Sequence, residues 1–283
     1  GSADMKSGVA AMCAAAVQAF DDVGTNARNE IIIAAVADEE YESLGMHALL
    51  ASGVTATAAV LTEPTRLAIC PAHRGFVWTE IEFVGRAAHG SRYDLGVDAI
   101  RHAGLVLVEL DGLETDTLPS RTHPLLGRGS VHASKISGGI GMSTYPDLCT
   151  LALERRTLPG ESAEDAMHEI LDACDRVRKR HPELSASVRL LGGQAPSDVA
   201  RDAPVVRSLE RALAGEGMQA PIEGLSAWTD AALLNEAGIP AICFGPGDIA
   251  LAHAAEEYVP VVEIERAAAV LARMAREFMT GTN

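Results

Sequence analysis

The pattern of apolar residues changes character twice along this chain, and that change constrains its fold more than any other feature. Residues 31–37, Ile31-Ile32-Ile33-Ala34-Ala35-Val36-Ala37, form a continuous apolar run that stops at Asp38-Glu39-Glu40. A second run over 57–62 ends in Glu63-Pro64-Thr65, and a third over 240–244 ends in Phe244 before Gly245-Pro246-Gly247. Apolar runs without alternation suit parallel strands covered on both faces. Helical periodicity predicts helices over 6–20, 45–52, 205–215, 229–237 and 262–279, with a turn rich in Asp, Gly and Asn after residue 20. Between 76 and 84 polar and apolar residues alternate instead, the mark of an antiparallel strand with one wet face. A helix (96–109), two strands (130–136 and 149–157), a helix (162–179) and a strand (185–191) are predicted to complete this stretch. That β-α-β-β-α-β order is ferredoxin-like and can close by itself. The expected class is therefore α/β: a doubly wound, mainly parallel sheet domain in residues 1–71 and 195–283, interrupted by an inserted ferredoxin-like α+β domain over 72–194.

The 283 residues suffice for a sizeable core, and 48% of them are apolar, which excludes a disordered or fibrous chain. With 23 basic and 39 acidic residues the formal net charge is −16. That balance argues against nucleic acid or an anionic membrane surface as partner. The five cysteines, Cys13, Cys70, Cys149, Cys174 and Cys243, are scattered without CxxC pairs, so a reducing, cytoplasmic setting is expected rather than a disulfide framework. Cys149 and Cys243 fall in apolar strands and read as inert packing residues. No apolar run reaches the length of a membrane span.

The chemistry gathers where the apolar runs end. Glu39 and Glu40 follow the first run, Glu63 the second, and His253 the loop after the third. In open parallel sheets the ligand crevice lies at the carboxyl ends of strands, so these side chains are placed to converge. Converging carboxylates repel one another unless protons or cations intervene. Carboxylates with an imidazole suit zinc, or cobalt or manganese in its place. Each acid alone reads equally well as the cap of a following helix; as a set they favour a metal.

Five segments then resemble, in order, the motifs of the co-catalytic zinc family that includes acetylornithine deacetylase, succinyl-diaminopimelate desuccinylase, aminoacylase and bacterial glutamate carboxypeptidase. They are Asp4-Met5-Lys6; Asp38-Glu39-Glu40 with Gly45; Glu63-Pro64-Thr65; Ala88-His89-Gly90-Ser91 with Gly96; and Gly245-Pro246-Gly247 followed by Ala252-His253 and Glu257. Glu154-Arg155-Arg156-Thr157-Leu158-Pro159-Gly160 resembles the family's Arg-x-x-Pro-Gly strand end. The resemblance implies that Asp4 bridges two zinc ions, that Glu40 and His253 complete one site, and that Glu63 serves the other. It makes Glu39 the general base, taking a proton from the attacking water and delivering it to the leaving amine. It implies that His89 reaches the opposite subunit's site, against a surface His as the plain reading. Arg156 reads either as a bidentate partner for a substrate carboxylate or as a strand-end salt bridge. Ser226, Thr229 and Asp230 read as shaping the pocket, with a helix N-cap as the plain reading of Thr229 or Asp230, and Trp228 lines a pocket or, as the favoured reading, sits in the core.

Two departures bear on these roles. The family's further metal ligand, in a His-x-Asp motif upstream of Asp-Met-Lys, is not among the three residues before Asp4, and Gly1-Ser2 reads as native or as a cloning scar. Without that ligand and the strands around it, Glu63's metal and the parallel sheet are expected to be incomplete, with about one metal held tightly. Ser143, after Gly138-Gly139, stands where many relatives carry a substrate-binding Asn. The expected activity is hydrolysis of the amide of an N-acyl amino acid, with a dipeptidase or carboxypeptidase as the alternative within the family. A catalytically silent fragment or binding module is the alternative outside enzymes. The expected partners are a small amino-acid-like substrate and a second copy of the chain, because the inserted domain's sheet edges need cover.

Overall fold

The computed structural model describes residues 1–23, 29–219 and 221–280. Its first stretch runs α1 (Ser7–Val23), α2 (Leu44–Ala51), β1 (Ala59–Leu61) and β2 (Ile69–His73). The middle stretch runs β3 (Gly75–Val84), α3 (Ala99–Gly112), the short pair β4 (Thr122–His123) and β5 (Gly127–Arg128), β6 (Ser130–Gly138), β7 (Leu148–Thr157), α4 (Ala163–Arg180) and β8 (Ser185–Gln194). The last stretch holds β9 (Ser197–Asp198), α5 (Pro204–Gly215), β10 (Ile222–Leu225), α6 (Ala231–Glu236), β11 (Ala241–Cys243) and α7 (Val261–Thr280). Two units result: Gly1–His73 with Ser197–Asn283, and Arg74–Pro196.

In the first unit the strand order is β1-β11-β2-β10, with β9 beside β2. The β1–β11 and β2–β10 pairs are parallel, while β11 meets β2 antiparallel at Cys243 and Cys70. The sheet is thus mixed and rich in parallel pairs. Its apolar core joins Ile69, Ile242 and Phe244 to Val206, Leu209 and Leu213 of α5 and to Ala267 and Val270 of α7. Ala11, Ala15 and Ala19 form the buried stripe of α1, small enough for close packing at helical spacing.

One strand expected from the sequence does not form. Residues 31–37 pair with no described strand, and Ile32 and Ile33 are 47% and 41% exposed. A lone extended segment has nowhere to place its N–H and C=O groups except water, so apolar composition alone does not make it a strand. The expected turn after residue 20 falls largely on 24–28, outside the described residues.

The second unit is wholly antiparallel, with strand order β6-β7-β3-β8. Burial alternates along β7, and Cys149, Leu151 and Leu153 face a core shared with Ala103 and Val106 of α3 and Ile170 and Val177 of α4. A capping box opens α4, in which Ser162 Oγ accepts from Asp165 N and the Asp165 carboxylate accepts from Ser162 N. Beneath the sheet Arg155, 1% exposed, donates to Glu169 and Glu161, at 2.9 Å each.

Candidate metal centre

Three side chains far apart in sequence meet in the first unit. One ligand atom from each of Asp4, Glu40 and His253 lies within 4.8 Å of the other two. His253 Nε2 stands 3.1 Å from Glu40 Oε1 and 3.4 Å from Asp4 Oδ2. Local structure explains each placement. Asp38 adopts a left-handed conformation (φ 70°), and its carbonyl accepts from Ser43 N at 2.7 Å, closing the tight loop that presents Glu39 and Glu40. Thr65 Oγ1 accepts from Gly245 N at 3.1 Å, tying the chain after β1 to the chain after β11. Gly245 is needed there, because a Cβ would stand 2.5 Å from the Thr62 carbonyl oxygen and 2.6 Å from that of Glu63. His253 is itself left-handed (φ 59°) beyond this loop.

The electrostatics are those of crowded acids. Burial, then Asp230, Glu40 and Asp4, push the Glu39 carboxyl up to about 8. Burial and the same acidic neighbourhood raise Glu63, which is 6% exposed, well above the carboxylate range. Asp4 is raised by burial and by Glu40, while His253 opposes the shift. His253 is raised in turn through its hydrogen bond and charge pairing with Glu40. A divalent cation relieves this repulsion, and two carboxylates with one imidazole suit a borderline ion such as zinc. The residues therefore fit the metal that the motifs imply.

Among the described residues Glu63 stands outside the three-residue cluster, although its carboxyl is close enough to Asp4, Glu39 and Glu40 to be shifted by them. Thr229, 1% exposed, has its Oγ1 accepting from Ala231 N at 3.2 Å and lying 3.4 Å from Cys243 Sγ, so it serves the start of α6 and the core. Asp230 makes no side-chain cap; it is buried, raised by that burial, and is the largest charge acting on Glu39. Sequence alone marks Asp230 only as a pocket or cap residue, an acid at a helix start. Trp228 packs with the core of the first unit and meets His73 edge-on.

The other sequence-marked residues belong to the second unit. His89 is exposed, its Nδ1 2.8 Å from Ser91 Oγ. Its segment lies beside Ser143, whose carbonyl accepts from Gly90 N at 2.7 Å. Arg156 forms the strand-end salt bridge of the two readings left open: Nε lies 2.7 Å from Glu154 Oε1, and the guanidinium sits 5.6 Å from the centre of the Phe76 ring. All five cysteines are free thiols, and Cys149 and Cys243 are buried. No described helix is long and apolar enough to cross a membrane.

The chain is 32% identical to an acetylornithine deacetylase of Myxococcus xanthus over 258 residues, which covers 89% of this chain and 66% of the relative. It is 28% identical to a putative succinyl-diaminopimelate desuccinylase of Mycobacterium tuberculosis, covering 78% of the chain and 58% of the relative. This chain thus spans about two thirds, or less, of these curated relatives. The aminopeptidase PepT of Bacillus cereus shares the fold with a TM-score of 0.79 at 21% identity, over 98% of this chain and 71% of that one. The dipeptidase Dug1p of Saccharomyces cerevisiae does so with a TM-score of 0.64 at 13% identity, over 86% and 64%. The model of Peptidase family M20/M25/M40 matches residues 1–277, and the chain belongs to that family.

Proposed function

We propose that this chain carries the catalytic machinery of a metal-dependent hydrolase that cleaves the amide bond of an N-acyl amino acid or a small peptide-like substrate. The observation that carries the reading is the convergence of Asp4, Glu40 and His253 beside Glu39, a carboxyl pushed up to about 8. Asp4, Glu40 and His253 would hold one zinc ion, and Asp4 with Glu63 would contribute to a second; cobalt or manganese would suit the same donors. Zinc held there supplies Lewis-acid polarisation of a carbonyl and acidifies water. Glu39 is the general base: its carboxylate takes the proton of the attacking water and returns it to the leaving nitrogen, so that the amine departs neutral. With a cation held by Asp4, Glu40 and His253, Glu39 would ionise more readily and so be able to accept that proton.

Ser143 and Arg156 are the proposed substrate contacts, Thr229 being buried and engaged at the start of α6, and Arg156 would exchange Glu154 for a substrate carboxylate. His89 is proposed to stabilise the oxyanion in the partner subunit of a homodimer formed by the inserted unit. The cysteine pattern supports a cytoplasmic protein. The test is hydrolysis of a panel of N-acetyl and N-succinyl amino acids and dipeptides by the zinc-supplemented full-length gene product, with and without chelator. Chelator-sensitive release of a free amine from at least one acyl amino acid is expected. Cleavage of dipeptides alone would move the assignment to a peptidase, and turnover indifferent to chelator would overturn the metal reading.

A further inference from the structure

The segment that carries Asp4 has only a single irregular helical turn of its own, closed by Lys6 N donating to the Gly1 carbonyl at 3.2 Å. Asp4 (φ −116°, ψ 91°) and Met5 (φ −137°, ψ 41°) lie outside helical geometry, before α1 begins at Ser7. The order comes from a residue 253 positions away. Glu257 Oε1 accepts from Ala3 N at 2.7 Å and from Asp4 N at 3.0 Å. The Glu257 carbonyl accepts from Ser2 Oγ at 3.1 Å. On another side Ala3, fully buried, packs on Gly247, where an added Cβ would stand 3.4 Å from the Ala3 Cβ and 3.0 Å from Val259. Two consecutive N–H groups aimed at one anionic oxygen make a charge-assisted pair, stronger and more directional than bonds to a neutral acceptor.

We propose that Glu257 is a positioning residue of the metal centre, clamping the backbone of Ala3 and Asp4 so that the Asp4 carboxylate stands beside His253 and Glu40. The proposal rests on the reading of Asp4, Glu40 and His253 as metal ligands. Glu257 follows His253 by four residues, so one loop supplies a ligand and also orients a ligand from the opposite end of the chain. Outer groups that orient ligands in this way commonly account for 10–100-fold in metal affinity. A purely structural role would lower stability without changing the ion's surroundings or its affinity for the folded protein.

The test compares wild type, Glu257→Ala and Glu257→Gln in two measurements. In metal-free protein, amide hydrogen exchange at Ala3 and Asp4 should quicken in Glu257→Ala. In titrations, zinc affinity should fall by roughly 10–100-fold in Glu257→Ala, with altered visible bands for bound cobalt. Glu257→Gln keeps an oxygen acceptor without the charge and should fall between the two. Unchanged exchange at Ala3 and Asp4, or zinc affinity within about twofold of wild type in both variants, would overturn the clamp. If Glu257→Ala does not fold, Glu257→Gln decides by the same criteria. A wild type that binds no zinc would overturn the metal reading and the positioning role with it, while the exchange measurement still reports whether Glu257 holds the segment.

Discussion

Neighbouring carboxylates in this site have different surroundings, and their substitutions should separate accordingly. Glu39 is half-buried and faces Asp230, whereas Glu40 is exposed and meets His253. Glu39→Gln should keep zinc and lower kcat by roughly 10²–10⁴-fold, the usual contribution of a general base. Glu40→Ala should lower zinc affinity first. Steady-state kinetics with metal analysis checks both, and near-normal turnover by Glu39→Gln would reverse the assignment. The same crowding sets a pH dependence. A free glutamate titrates near about 4.3, and folded Glu39 titrates at about 8. Between those values the folded protein binds more protons than the unfolded chain, so stability falls as pH rises. Asp4 and Glu63, also raised, act in the same direction. Metal-free protein should therefore melt lower at pH 8 than at pH 5 on this account, and Glu39→Gln should lessen the difference. Equal slopes in the two proteins would show that Glu39 does not contribute. Part of this site was legible from where the apolar runs end: Glu40 and His253 do converge, while Asp4 entered only through the resemblance of its motif and Glu63 stays outside the cluster. The roles of Asp230 and Glu257 were not legible, because their parts depend on burial and on backbone hydrogen bonds between distant segments, neither of which spacing records.

Elements were legible where tertiary neighbours agree with local pattern. The alternation over 76–84 became β3, paired on both sides, and the periodic stretch over 162–179 became α4 with its capping box. The run over 31–37 has a stronger apolar signal than either, yet it forms no ladder among the described residues. The short strands β2 and β10 were missed, since five and four residues carry too little periodicity to register. Packing makes two glycines opposite tests of this view. Gly8 of α1 lies where a Cβ would stand 2.0 Å from the Thr62 carbonyl oxygen, so Gly8→Ala should destabilise by roughly 1–3 kcal/mol. Gly104 of α3 has open space at that position, so Gly104→Ala should gain about 1 kcal/mol of helix propensity. Denaturant unfolding of the two variants checks the contrast. Arg155 sets a third case: Arg155→Ala removes a buried charged donor from Glu161 and Glu169, which keep Arg121, and should cost roughly 1.5–3 kcal/mol.

At the scale of the whole molecule, the chain leaves one unit after His73, builds another over Arg74–Pro196 and returns. The proposed homodimer would use the second unit, whose edge strand β6 is mostly exposed and is followed by exposed Ile140 and Met142. Light scattering at micromolar concentration should give twice the chain mass. In the full-length product, mixing His89→Ala with Glu39→Gln subunits should restore part of the activity that each lacks; verified exchange without recovery would mean that His89 acts within its own chain or not at all. The first unit makes the more direct demand, because its ligands come from residues 4, 40 and 253 and meet only when both halves of the chain are folded together. A calorimetric zinc titration of wild type and His253→Ala, each shown by circular dichroism to be folded, tests that assembly. The expected result is a saturable site in wild type that weakens by at least about 10²-fold when the imidazole is lost. Equal zinc affinity in the two proteins would contradict the metal centre described here.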